Sequence, residues 1–287
     1  VLVYSHNSLF NYSMAKYIKR LNKALLTTYF IGVDYLKNHY NPIIRAIGYK
    51  YEKYITKEFA KMTDTALTVN KCEAEILKNN YGINSVIIPH GIHESLINRP
   101  YEGDLFREKY GIQGEIITYL GRLHPTKGVD LLIKAFGIIR KSHNDIHLFI
   151  AGSGPRNYVN YLHKVASRLS LSKYVHFLGY ISEADKVGLI DASKFLVLPT
   201  KHAGESYPMI INEAAARGKP IIVNKVGCAW TIELPNIIPT EPDEKELAKT
   251  MDKLLDDNYY NKLITNINSV RPLTWSEIAQ KMVKLWA

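Results

Sequence analysis

The sequence predicts an α/β protein made of two parallel-sheet domains. Three observations carry that expectation. The length of 287 residues suits two cores at roughly 100–200 residues per domain. Short apolar runs closed by Gly or Pro alternate with segments of helical spacing. No apolar stretch reaches the ~20 residues that a membrane-spanning helix needs. The composition, 46% hydrophobic and 22% charged, excludes collagen-like, low-complexity and wholly disordered chains.

The rear half reads most clearly. EIITYLG (115–121), IHLFIAG (146–152), VHFLG (175–179), FLVLP (195–199) and PIIVN (220–224) have strand length and β-rich composition. Between them, 127–142 repeats apolar residues at Val129, Leu132, Ile133, Phe136 and Ile139. Helices follow at 158–169, 183–192 and 207–217, the last closed by Gly218 and Pro220. Apolar strands joined by helices of this length imply a doubly wound parallel sheet covered on both faces.

The front half is less regular. VLVYS (1–5), LLTTYFIG (25–32), ALTVN (66–70) and SVIIP (85–89) read as strands, with helices at about 12–24, 43–62 and 71–80. Four strands make a short, incomplete doubly wound domain. The polar, Gly-punctuated stretch 100–115 reads as the hinge. This divides the chain into 1–110, 111–270 and a terminal helical segment 271–287 that runs from Trp275 to Trp286.

Charge is uneven. The chain carries +10, and residues 1–63 hold ten Lys/Arg against three acids, leaving +3 for the rest. A basic front suggests an anionic partner, such as a phosphorylated substrate or an acidic lipid surface; a solvated Lys-rich helix face gives the same count. Charge alone also suggests nucleic acid, but no motif joins it and none is expected as a partner. Cys72 and Cys228 lie far apart without metal spacing and read as free thiols in a reducing, cytoplasmic setting. VLVYSHNSLF lacks the basic and apolar blocks of a signal peptide, and the opening Val1 leads one to expect an upstream piece.

Ligands of open parallel sheets bind beyond the carboxyl ends of the strands, so the loops there hold the candidate chemistry. In GRLHPTKG (121–128), Arg122 and Lys127 flank a turn that opens a helix, a generic anion site. In AGSGP (151–155), Gly152 and Gly154 permit a tight turn but lack the full dinucleotide spacing. In KHAGESYPMIINEAAARGKPII (201–222), Glu205 precedes a helix that Pro208 can start and Glu213 lies within it. Two carboxylates suit sugar hydroxyls, and the helix start between them offers amides to an anion. Each loop alone also fits an ordinary surface turn. His90 and His93 form HxxH without a third ligand, so no zinc site is expected.

Jointly and in this order, GRLHPTKG, AGSGP and Glu205–x7–Glu213 running into EAAARGKP resemble the retaining glycosyltransferases of family 4, over about residues 60–287 strongly and 1–60 weakly. The resemblance implies the GT-B fold, two Rossmann-like domains facing a cleft, here with the front one incomplete. It implies transfer of a hexosyl group from a nucleotide-diphosphate sugar to a carbohydrate, lipid-linked or small-molecule acceptor with retention of configuration, and neither metal nor cofactor. A nucleotide-sugar-binding subunit without catalysis, or a GT-B epimerase or phosphorylase, remains the alternative.

By the same resemblance, Arg122 and Lys127, beside Gly121, would hold the diphosphate, Glu205 the transferred sugar, and Glu213 the ribose. Gly179, Tyr180 and Ile181 would seat the base, and the segment Ser206–Tyr207–Pro208 would support the phosphate. The final helix would cross back to the front domain, which would face the acceptor; the charge of residues 1–63, not the resemblance, adds the expectation of a cytoplasmic membrane face. Three departures stand out: Ile31 replaces a common His before Gly32, His90 stands within Pro89–His90–Gly91 where Asn is usual, and Cys228 follows Gly227 where a second Gly is usual.

Overall fold

The computed structural model describes residues 1–21 and 24–286. The front part begins with β1 (Leu2–Tyr4), α1 (Leu9–Arg20) and β2 (Thr27–Phe30). The expected extension of the first helix through 22 and 23 lies outside the described residues. A helical run follows as α2 (Pro42–Tyr51), a π turn (Glu52–Thr56) and α3 (Lys57–Met62). Asn41 caps it and Pro42 fits its first turn, where no N–H is needed. β3 (Thr65–Thr68), α4 (Lys71–Tyr81) and β4 (Ser85–Ile87) complete a parallel sheet of order β1-β2-β3-β4.

The connection contains α5 (Glu94–Ile97) and α6 (Gly103–Tyr110). The polar stretch 100–115 holds the helix α6. Phe106 is buried against Phe149 and Leu189, with Tyr110 and Ile112 packed beside it, and these contacts seat the stretch as a helix on the rear domain. Arg217 then ties the connection down. Its guanidinium grips Asp191 at 2.7 Å and donates to the carbonyls of Leu96, Arg99 and Pro100 at 2.7–3.0 Å. Asp191 in turn accepts the amide of Glu102 at 2.9 Å.

The rear part alternates β5 (Glu115–Leu120), α7 (Val129–Ile139), β6 (Ile146–Ala151), α8 (Arg156–Arg168), β7 (Val175–Gly179), α9 (Glu183–Ala192), β8 (Ser193–Leu198), α10 (Met209–Ala216), β9 (Ile221–Asn224) and β10 (Ile237–Thr240). The last strand was not expected from the sequence; its half-exposed edge position leaves IIPT without a long apolar run. The sheet is parallel, of order β10-β9-β8-β5-β6-β7. β8 is buried at every position because helices cover both faces. Phe136, Leu148 and Met251 pack one face, and Ile190, Leu198 and Ile211 the other.

The chain continues through α11 (Glu244–Leu255) and α12 (Asp257–Ile267), then returns to the front sheet as α13 (Trp275–Val283). Thr274 and Glu277 form a reciprocal cap at its start. Ile278 packs against Tyr29, Leu67, Val69 and Ile88, and Trp286 donates to Thr27 Oγ1 at 3.0 Å. Among the described residues no helix is long and apolar enough to cross a membrane.

The expectation of two free thiols is corrected. Cys72, in the first turn of α4, and Cys228, in the loop after β9, form a disulfide with a Cα–Cα distance of 5.6 Å. That separation lies in the bridging range. The partners sit 156 residues apart, so only the meeting of the two domains brings them together. The thiol argument for a reducing compartment falls with it.

Candidate functional site

The rear sheet reverses direction of winding between β5 and β8, and the loops leaving those two strands part there. Such a switch point opens a crevice at the strand ends. In this chain the crevice is a cavity of ≈ 540 Å³.

Backbone contacts lock its walls. The carbonyl of Thr126, in the turn after β5, accepts the amide of Lys201 in the loop after β8 at 2.8 Å. The turn after β6 joins them: Leu123 N donates to Ser153 O at 2.8 Å. These approaches explain the glycines. A Cβ on Gly152 would strike the Gly121 carbonyl, and one on Gly154 the Leu123 carbonyl. Gly128, at φ +68, has the Pro199 carbonyl where its side chain would be. The glycines of AGSGP therefore serve packing of one turn upon another.

On these locked turns stand the charged groups. Lys127 and Glu205 form an ion pair whose side chains are 14% and 13% exposed. Glu205 Oε2 also accepts from Thr200 Oγ1 at 3.2 Å, and the Glu205 carbonyl accepts the Cys228 amide at 2.9 Å. Arg122 is exposed at the rim, and its carbonyl accepts from the Tyr119 hydroxyl at 2.7 Å. Burial pushes the Tyr119 hydroxyl far above its ordinary pKa, so it stays a neutral donor. Glu213, from α10, pairs with Lys186 of α9 at 2.8 Å. His202, beside Glu205, is held below the ordinary imidazole range by burial.

Gly121, Arg122, Lys127, Gly152, Tyr180, Ile181, Glu205, Pro208 and Glu213 all line this one cavity. Gly154, Ser206 and Tyr207 do not. Gly154 lies behind the turn. Ser206 is buried, with its carbonyl accepting from Asn70 Nδ2 at 3.0 Å. The Tyr207 ring faces the front domain and bonds Asn212 at 3.1 Å. Lys186 and Thr200 were missed by sequence reasoning. The first shares only an i,i+3 spacing with Glu183, and nothing in that spacing reveals Glu213 as its partner. The second is a lone hydroxyl at a strand end.

A family model described as glycosyl transferases group 1 matches residues 104–270, which hold this whole cavity. The chain belongs to the glycosyl transferases group 1 family. Among curated relatives, the uncharacterized glycosyltransferase MJ1607 of Methanocaldococcus jannaschii is 30% identical over 214 residues, covering 70% of this chain and 53% of that protein. The chain thus spans about half the length of the curated relatives it matches. Sucrose-phosphate synthase of Thermosynechococcus elongatus superposes with a TM-score of 0.78 at 19% identity, over 99% of this chain and 72% of that one. Anabaena Alr3699/HepE in complex with UDP-glucose gives 0.77 at 20% identity, over 99% and 78%. These likenesses give the family's two-sheet GT-B architecture to the fold described above.

Proposed function

We propose that the chain transfers a hexosyl group from a nucleotide-diphosphate sugar to an acceptor hydroxyl, with retention of configuration. The observation that carries this reading is the convergence of Arg122, Lys127, Glu205 and Glu213 on one cavity at the switch point of the rear sheet. In it the two cations take the diphosphate, Glu205 takes hydroxyls of the sugar, Glu213 takes the ribose, and Tyr180 and Ile181 flank the base. Lys127 sits between phosphate and Glu205 and so links the leaving group to the sugar-holding carboxylate.

As the bond from the sugar's anomeric carbon to the phosphate oxygen breaks, negative charge grows on the diphosphate. Fixed cations there lower the barrier without reorganising. The acceptor oxygen bonds to the same face of the anomeric carbon while its proton passes to the departing phosphate oxygen. Protein groups position and neutralise; none forms a covalent intermediate. The scheme uses no metal or cofactor.

The complex of the Anabaena neighbour makes UDP-glucose the first donor to try. The test is thermal denaturation with UDP-, GDP- and ADP-sugars, followed by turnover of the stabilising one with glycan and lipid-linked acceptors. One nucleotide sugar should raise the melting temperature, because a ligand that binds only the folded chain stabilises it. Stabilisation without transfer or donor cleavage favours the non-catalytic subunit; release of epimerised sugar or sugar phosphate favours the epimerase or phosphorylase. Stabilisation by none of them refutes the proposal.

A second reading concerns the acceptor's setting. On α1 and α2, Phe10 is 72% exposed, Ile43 70% and Ile47 60%, amid Lys16, Arg45 and Lys50. Exposed apolar residues among cations suit a peripheral contact with an anionic membrane at its cytoplasmic face and a lipid-linked acceptor there. Salt-sensitive binding to phosphatidylserine vesicles, lost in Ile43→Asp/Ile47→Asp, is expected; no binding at low salt counts against it.

A further inference from the structure

We infer that Lys186 is the positioning residue of Glu213 and through it sets the cavity's preference for a ribose over a deoxyribose. The inference rests on the proposed nucleotide-sugar reading of the cavity and assigns a residue that the sequence motifs leave out. Lys186 lines the cavity with Glu213, donates to its Oε1 at 2.8 Å, and lies 2.8 Å from Oε2 of Glu183.

The two carboxylates are unequal partners. The Glu183 side chain is 80% exposed, and water competes there, so that pair contributes little. The side chains of Lys186 and Glu213 are 20% and 18% exposed and shield one another. Both stand on fixed backbones. Ser182 caps α9 through the Asp185 amide, and Asn212, next to Glu213, is buried and donates to the His90 carbonyl at 2.8 Å.

Two consequences follow for a nucleotide. A carboxylate that accepts from both hydroxyls of a vicinal diol must hold one plane, and Lys186, by engaging Oε1, holds it before the ligand arrives. Preorganisation of this kind removes an ordering cost from binding. The ammonium also offsets the charge of Glu213.

A direct contact between Lys186 and phosphate would be a different role, and a double-mutant cycle separates the two. Titration calorimetry on the full chain with UDP, GDP and ADP first identifies the nucleotide bound. That nucleotide and its 2′-deoxy form are then titrated into the unmodified chain, Lys186→Met, Lys186→Arg, Glu213→Gln and the Lys186→Met/Glu213→Gln pair. Melting curves confirm that each variant is folded, and Lys186→Gln replaces the Met variant if it is not.

The unmodified chain should prefer the ribonucleotide by about tenfold or more, since a site built around a hydroxyl rejects the analogue lacking it. Lys186→Met should lose most of that preference, Lys186→Arg should keep it, and adding Lys186→Met to Glu213→Gln should change nothing further. Full ribose preference in Lys186→Met overturns the inference, as does an undiminished loss in the Glu213→Gln background. A Glu213→Gln variant that binds both nucleotides as the unmodified chain does refutes instead the reading of Glu213 on which this rests. Failure of all three nucleotides to bind overturns both.

Discussion

Lys127 and Glu205, from turns after two different strands, meet as an ion pair on the wall of the cavity at the switch point of the rear sheet. Among the described residues neither partner forms a second salt bridge, and Arg122 stands exposed at the rim. Lys127→Met strands a largely shielded carboxylate, and breaking such a pair on one side costs about 3 kcal/mol. Lys127→Met should therefore lower the denaturant midpoint, and Lys127→Met/Glu205→Met should recover most of the loss. Transfer should fall by about 100-fold or more in either single variant and should not recover in the double. Recovery of transfer along with stability would show that the pair serves the fold alone.

Arg217 and Asp191 make the corresponding structural argument. Their side chains are 6% and 1% exposed, and Arg217 also carries three carbonyls of the connection between the domains. Arg217→Met leaves Asp191 buried and unpaired, with an expected loss of about 3–5 kcal/mol in urea denaturation. Arg217→Lys should lose nearly as much, since an ammonium lacks the fork that serves carboxylate and carbonyls together. A loss confined to the Met variant would assign the effect to charge alone.

These two clusters mark what the sequence can and cannot disclose. The alternation of apolar strands with helices exposed most of the rear sheet, because burial on both faces leaves continuous runs such as FLVLP. Motif order exposed the turns bearing Lys127 and Glu205, because strand ends are where ligands bind. The half-exposed strand β10 and helix α6 escaped, the first for want of an apolar run and the second because its few apolar contacts, Phe106 and Tyr110, are made on the rear domain. Cys72–Cys228, Lys186–Glu213 and Arg217–Asp191 escaped for a common reason. Each joins segments whose proximity only the tertiary fold creates, and no local period records it.

The disulfide yields a further prediction. It links the first turn of α4 to the loop whose Cys228 amide holds the Glu205 carbonyl, and Asn70 in the same turn holds the Ser206 carbonyl. Closing a loop of this length restricts the unfolded chain, for a typical contribution of roughly 2–5 kcal/mol. Reduction, or Cys72→Ser/Cys228→Ser, should lower the midpoint of urea denaturation accordingly. It should also weaken nucleotide-sugar binding, because the support behind Glu205 loosens. Identical curves with and without reductant, alongside free thiols by titration, would refute the linkage.

Stability should also follow pH through buried groups of the front domain. Glu73 is 2% exposed, and burial pushes its pKa up to about 7 although Gly32 N donates to Oε1 at 2.7 Å. Burial likewise raises Glu52 to about 7 against the opposing pull of the Lys37 amide and ammonium. A raised carboxyl favours the protonated form in the fold. Its contribution is complete below the unfolded value of 4.5 and is lost as pH rises through about 7. His6 is fully buried and pushed down to about 3, so its contribution runs the other way, present above 6.5 and lost on acidification. Between 4.5 and 6.5 two carboxyls oppose one imidazole, and above 6.5 the carboxyls act without it. The urea midpoint should thus fall from about pH 5 to pH 7.5, most steeply near pH 7, and Glu73→Gln should remove most of that fall, since Glu52 and His6 then cancel up to pH 6.5. Parallel profiles for the two proteins would show that Glu73 is already ionised in the folded chain at the lower pH.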